Sequence, residues 1–505
     1  MKVSHTYELL ESPALQRLGQ FVRARERAWP SATPSFEQFE HELHDQVMAL
    51  ERELLTAELA RYDVDAEQIE VEGVHYHPVW VDTETYLTTA GEVQVERHLY
   101  RPAGHNAKSI CPLELRVGIV DGYWTPRAAR QGAWVMAQLP SGDAEALFVE
   151  LGAMSPSRST LDRLPRELSR HWETKREAWE VALRAQETVP EAAACVALSL
   201  DGVMVAMKAK AAERVAKQAE AGKHASGPAG RQEAACGTVS LYDAEGERLQ
   251  TIRYARMPES KKVTLQGQLQ GEIAALDALR PDLRRVHLAD GAETNWDRLA
   301  EMEAALGLPP GSWVEIVDFY HGCEHLKNGC DAIWDESTPR SQAEFLRLKT
   351  LLKAEDGGAD RIIRTFKHHA SRTTGNRQQR IQAELTYFRN QRPRMNYPEY
   401  LRQHLPIASG VVEAACKTLV TQRLKCSGMA WTLTGGQAIL TCRSLIQSER
   451  WASAWNLLAD DFRQTITIVK PAPVTQNQNS RAAVIHPIAR CACETEAYHA
   501  LPLAA

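Results

Sequence analysis

Apolar positions change period several times along the chain, and each change marks a different element. Phe36, Phe39, Leu43, Val47, Leu50 and Leu54 recur at three- and four-residue spacing, so residues 36–72 are expected to form an amphipathic helix whose apolar face needs a partner. Around Tyr86, Leu87, Val93 and Val95 the pattern alternates about Ala90-Gly91, which predicts a β-hairpin. Helical spacing returns between Thr125 and Trp172: Ala144, Leu147, Phe148 and Leu151 lead into Gly152-Ala153-Met154-Ser155-Pro156, and a second helix opens on Ser157, Arg158, Ser159 and Arg163. That spacing fits a helix-turn-helix, although helix pairs joined by short turns are also ordinary packing units. Strands are expected at 195–207, 238–242, 249–254, 286–288 and 313–317, with helices over 263–279 and 295–306. Residues 208–231, rich in Ala, Lys and Gly, read as an exposed, partly helical excursion. Residues 325–403 read as helical throughout, and the last fifty residues read as poorly ordered.

Three strands, a helix, a strand, a helix and a strand is the order of a ribonuclease-H-like core. The expected fold is therefore multidomain α+β. A ribonuclease-H-like mixed β-sheet core is interrupted by an all-α insertion and preceded by helical, β-hairpin and helix-turn-helix regions. The expected divisions are an acidic helical region at 1–75, a hairpin region at 76–120 and a helix-turn-helix region at 121–190. The first part of the core follows at 191–322, then the all-α insertion at 323–405, the final core helices at 406–456 and a tail at 457–505.

Composition narrows the class. With 505 residues, 44% hydrophobic and 25% charged, the chain is long enough for about three globular domains and is neither fibrous nor wholly disordered. No apolar run reaches the length of a membrane span and no secretory signal opens the chain, so a soluble, cytoplasmic protein is expected, with no membrane partner. Ten scattered cysteines suit reduced core thiols; Cys323 and Cys330 beside His321, and Cys491 and Cys493 near the end, match no standard zinc spacing. No phosphate-binding or dinucleotide fingerprint is present. The net charge of −6 argues against a nucleic-acid binder until it is resolved along the chain. Residues 36–72 carry −10, whereas residues 361–425 carry thirteen Lys and Arg against Glu384, Glu399 and Glu413, a charge of +10. Phe366, His368, His369, Tyr387, Phe388, Tyr397 and Tyr400 interleave with those cations, a mixture suited to gripping phosphates and stacking bases.

Three acids stand out. Asp201 closes the run Val196–Leu200 and precedes Gly202; Asp290 closes Val286–Ala289 and precedes Gly291. Each is expected at or near a strand end, where the glycine allows a turn and leaves the carboxylate uncrowded. Asp-Gly is equally a common turn dipeptide. Glu413 is expected in the first turns of a helix capped by Ser409 or Gly410. Two strand-end aspartates and a helix glutamate have the chemistry to hold two hard divalent cations for phosphoryl transfer.

These motifs resemble the bacterial insertion-sequence DDE transposases of the Mutator-like supergroup, most closely its Kra-type branch. The resemblance rests on Ser199-Leu200-Asp201-Gly202-Val203-Met204-Val205, on Leu288-Ala289-Asp290-Gly291-Ala292 with Asn295-Trp296, on Asp318-Phe319-Tyr320-His321, and on the block from Ser409 to Trp431. It spans roughly residues 80–455. It implies Asp201, Asp290 and Glu413 as a metal-binding triad for two Mg²⁺, with Mn²⁺ as substitute, and His321 beside the reacting phosphate. The 123 residues from Asp290 to Glu413 suit the helical insertion such enzymes carry. Ala430, where a polar or basic residue is expected, and the length of the 208–231 excursion depart from the pattern.

The implied activity is Mg²⁺-dependent cleavage at insertion-sequence ends followed by attack of the freed 3′-hydroxyl on target DNA. Expected partners are double-stranded DNA, as terminal inverted repeats and target, and a second copy of the chain or more. Location in the cytoplasm on the nucleoid goes with this. Arg423, Lys425, Trp431, Arg377, Arg380 and Lys417 are the expected DNA contacts. Rival readings are a transposase-derived DNA-binding protein that no longer cuts, a ribonuclease-H-like nuclease that cuts without joining, and a metal-independent carboxylate-pair hydrolase.

Overall fold

The computed structural model describes residues 12–29, 35–104, 108–208, 230–309 and 311–469. Helix α1 (Pro13–Ala28) pairs with α2 (Phe36–Ala60), Phe21 stacking on Phe39 and Glu53 accepting from the Ala14 amide. The acidic helix therefore stops at Ala60 instead of reaching 72. Beyond it the apolar period becomes two: Val64, Ile69 and Val71 turn into a small core around Tyr100, whose hydroxyl donates to the Val64 carbonyl and accepts from the Ala66 amide. Ile69–Val71 is thus strand β1, the third strand of an antiparallel sheet ordered β3-β2-β1-β9. Strands β2 (Val74–Thr88) and β3 (Gly91–Pro102) are the expected hairpin. The edge strand β9 (Thr467–Ile468) comes from the far end of the chain and pairs with β1, so the stretch expected to be tail is structured as far as Val469.

Helices α4 (Pro126–Gln138), α5 (Ser141–Leu151) and α6 (Arg158–Gln186) follow the short helix α3 (Pro112–Val117). Gly152, in the left-handed region, ends α5, and Ser157 caps α6, so the expected helix pair and its turn are present. The apolar side of α6, Leu161, Leu164, Leu168 and Trp172, is buried against α4 and two C-terminal helices.

The five expected strands form one sheet ordered β6-β5-β4-β7-β8: β4 (Cys195–Ala206), β5 (Arg231–Tyr242), β6 (Arg248–Arg256), β7 (Arg284–Ala289) and β8 (Trp313–Val317). Strand β5 is antiparallel to both β4 and β6, while β4, β7 and β8 run parallel. The period-two alternation gives each face a layer. Ala235, Val239 and Leu241 pack on Leu265, Leu269 and Ile273 of α7 (Val263–Leu279). Val205, Ala234 and Cys236 pack on the opposite face, against the helical stretch Val412–Leu424 and Ile439 and Leu440. After α8 (Glu293–Ala305), five helices fill 319–402: α9 (Phe319–Trp334), α10 (Pro339–Ala354), α11 (Gly358–Ala370), α12 (Gly375–Gln391) and α13 (Tyr397–Arg402). Their buried side chains join the core of β7 and β8, so this helical block is packed continuously with the sheet. Residues 209–229 of the expected excursion and 470–505 of the expected tail lie outside the described residues.

A buried polar seam holds the C-terminal helices to the sheet. Arg450 and Glu272 lie 2.7 Å apart with side chains almost wholly buried; Arg450 also meets Glu187, and the Tyr254 hydroxyl donates to Glu272 at 2.6 Å. Burial opposes charge on Glu272, yet Arg450, Tyr254 and Arg184 together hold its carboxyl below the usual range.

Candidate functional site

Strand register decides what Asp201 and Asp290 do relative to each other. The parallel ladder of β4 with β7 ends at Leu198 opposite His287, and each aspartate stands three residues further on. Asp201 and Asp290 are therefore level on neighbouring strands that have just parted. Asp201 is not at a strand end: β4 continues to Ala206, paired with β5, and Gly202 makes no turn. The two glycines supply room. A β-carbon on Gly202 would lie 1.8 Å from the Glu233 carboxylate, and one on Gly291 would lie 2.3 Å from the Tyr387 ring.

Each carboxylate is engaged locally. Asp201 Oδ1 accepts from the Gly202 amide at 2.7 Å and Oδ2 from the Cys416 thiol at 3.3 Å. Asp290 Oδ1 accepts from the Ala292 amide and from Asn295 Nδ2 at 2.8 Å. Burial raises the Asp201 pKa above the usual carboxylate range, and the charges of Asp290 and Glu233 push it the same way. Glu413 lies on the short helix α14 (Gly410–Ala415), three residues before Cys416, with Ser409 Oγ donating to its Oε1 at 3.4 Å. Its pKa is raised by burial and then by Asp318 and Asp201. Burial and neighbouring carboxylates thus act in the same direction on Asp201 and Glu413. Turned to separate donors, the three acids do not enclose an ion: among the described residues no three His, Cys, Asp or Glu side chains are grouped to hold a metal.

Asp318 ties these elements together. Buried at the N-cap of α9, it accepts from the His321 amide through Oδ1 and from the Ser409 amide through Oδ2. Its own amide donates to the Ala289 carbonyl, one residue before Asp290, and the Phe319 amide donates to the Ile407 carbonyl. The loop leading into Glu413 is thereby fastened to Asp318, 91 residues earlier, and through the Asp318 amide to the end of β7. His321, in the first turn of α9, is half-buried, with Nδ1 3.5 Å from Glu324 and its ring beside His325 and Tyr387. His325 stacks on Tyr387 at 3.5 Å and meets Glu384 at 2.7 Å. Sequence reasoning did not assign Asp318, His325, Glu384, Tyr387, Glu233 or Cys416 to the site; only the Asp-x-x-His spacing pointed at Asp318.

The expected DNA contacts divide. Arg423 is 3% exposed, donates to the Met136 carbonyl and lies over the Trp431 ring, so it braces α4 and is not available to a phosphate. Trp431 is tied by Nε1 to the Leu424 carbonyl and by its amide to Ala206, so it packs rather than offering a free stacking face. Arg377 donates to the Ala332 and Ile333 carbonyls and pairs with Asp335, closing the C-terminus of α9. Lys417, Lys425 and Arg380 are exposed. The +10 segment is also partly neutralised: Arg361, Arg392, Arg394 and Arg402 pair with Glu355, Asp360, Glu315 and Asp356.

No family model and no curated protein matches the chain. Among solved structures it is similar to the Drosophila P element transposase strand transfer complex, at a TM-score of 0.25 and 10% identity over 67% of this chain and 81% of that one. A likeness at that level assigns neither fold nor function.

Proposed function

We propose that the chain is a DNA-cutting and DNA-joining enzyme of the DDE transposase type, built on a ribonuclease-H-like sheet. The observation that carries this reading is the placement of Asp201 and Asp290 level with each other beyond the β4–β7 ladder, with the Glu413 loop fastened beside them through Asp318. Carboxylate oxygens suit a hard divalent cation, and such a cation would offset the burial and neighbouring negative charge that raise the pKa values of Asp201 and Glu413. Asp201, Asp290 and Glu413, each now turned to its own local donors, would have to turn toward one another to hold Mg²⁺, which would supply activation of a water or 3′-hydroxyl and stabilisation of the leaving oxygen. The rest of the chemistry belongs to the chain. Asn295 and the Ala292 amide orient Asp290, Cys416 and the Gly202 amide orient Asp201, and His321, whose ring lies beside Tyr387, would contact the phosphodiester. Lys417, Lys425 and Arg380 provide exposed positive charge for the duplex.

The test is Mg²⁺-dependent nicking and strand transfer on DNA carrying the sequences that flank the gene. Asp201→Asn, Asp290→Asn and Glu413→Gln should each abolish both steps while leaving duplex binding intact. Activity that survives all three substitutions, or that needs no divalent ion, would overturn the reading. Nicking without joining would favour a nuclease.

A further inference from the structure

Two consecutive lysines, Lys261 and Lys262, hold the left-handed backbone conformation, each with φ near 54°, at the entry to α7. That conformation is unfavourable for a residue with a β-carbon, and two in succession are sustained only where the surroundings demand them. The outcome here is an aimed side chain: Lys262 Nζ lies 3.1 Å from Glu233 Oε1. Glu233 in turn fills the space over Gly202, so close that any side chain at 202 would collide with it, and its charge is felt by Asp201. A strained turn thus delivers an ammonium group to the flank of the candidate site, where its one carboxylate partner among the described residues is an exposed glutamate on an adjoining strand.

We propose that Lys262 is a phosphate-binding residue for the nucleic-acid strand entering beside Asp201, and that Glu233 occupies it until a phosphodiester displaces the carboxylate. This rests on the DNA-processing reading above and adds a contact that it does not contain. The exchange is chemically even. A singly charged carboxylate gives way to a singly charged phosphodiester, and Glu233, 46% exposed, is free to turn to water. Gly202 leaves the room over the strand that the Glu233 side chain occupies. A merely structural pair would behave differently, because removing its lysine would then leave the salt slope of DNA binding unchanged.

The experiment is fluorescence anisotropy of the full chain with a labelled duplex, titrated over a range of salt concentrations. Lys262→Ala should weaken binding and lower the salt slope by about one, and Lys262→Arg should restore the slope. Glu233→Gln should tighten binding roughly two- to fivefold, the worth of an exposed ion pair that no longer competes. An unchanged slope in Lys262→Ala, or weaker binding in Glu233→Gln, would overturn the assignment. Circular dichroism melts of each variant separate a lost contact from a lost fold. If the unaltered protein shows no salt-dependent duplex binding, the DNA-processing reading itself has failed; if it binds and only the variants fail to respond, Lys262 alone is excluded.

Discussion

His287 sits on β7, between β4 and the edge strand β8, fully buried and stacked at 4.0 Å on Trp313, with neither ring nitrogen bonded to a protein group among the described residues. Burial holds its pKa at about 3. The folded state therefore binds fewer protons there than the unfolded state. Its contribution is intact above about pH 6.5 and is lost as pH falls toward 3, by up to about 1.4 kcal/mol per pH unit. His287→Leu should remove that share, so urea midpoints at pH 7.5 and pH 5 should differ less in the variant than in the parent; equal differences would show that His287 does not titrate this way. Arg423 carries a second residue-scale prediction. Its guanidinium is committed to the Met136 carbonyl, so Arg423→Ala should cost about 1–3 kcal/mol in chemical denaturation and leave the salt slope of DNA binding unchanged. A flattened slope would return it to the DNA surface.

At the scale of elements, the link between α9 and the loop before Glu413 decides the site. Val412 and Ala415 pack the Glu413 helix on the sheet, and the Asp318 carboxylate and the Ile407 carbonyl fasten the loop before it, through bonds to the Ser409 and Phe319 amides. Asp318→Asn keeps the size of the side chain but replaces one of two accepting oxygens with a donor, leaving one of the amides at 321 and 409 facing an NH₂ group. Hydrogen exchange at 406–413 should quicken while the strands β4 and β7 stay protected, and strand cleavage should fall by at least tenfold. Unaltered exchange at 406–413 would show that another contact fastens the loop. The same scale explains which elements were legible. β4 to β8 announce themselves by period-two apolar runs, and α9 to α13 by their helical period, because those signals are local to each segment. The end of α2 at Ala60 and the pairing of β9 with β1 were not legible, because both depend on partners distant in sequence.

Across the described residues, β9 pairs with β1, and the C-terminal helices pack against the five-stranded sheet. Arg450, Glu272, Glu187 and Tyr254 join the C-terminal helices, α7, the segment after α6 and β6 in one buried network. Glu272→Ala leaves the Arg450 charge without its most buried partner and should cost roughly 3–5 kcal/mol, read from denaturant unfolding. A cost below about 1 kcal/mol would mean that Glu187 suffices. Charge is organised at this scale too. The +10 of residues 361–425 shrinks once Glu315, Glu355, Asp356 and Asp360 are seen to pair with its arginines. Exposed cations without an ion pair among the described residues remain at Arg364, Lys367, Arg372, Arg380, Arg389, Lys417 and Lys425. By itself the sequence determined the kind and order of the core elements and marked Asp201, Asp290 and Glu413, since apolar period and short-range spacing are properties of the chain alone. Only the tertiary structure decided that Asp201 and Asp290 stand level, that Glu413 is fastened by Asp318, that Arg423 is buried and that Lys262 reaches Glu233. Each of these depends on register and packing between residues tens to hundreds of positions apart, and no local pattern encodes which of them will meet.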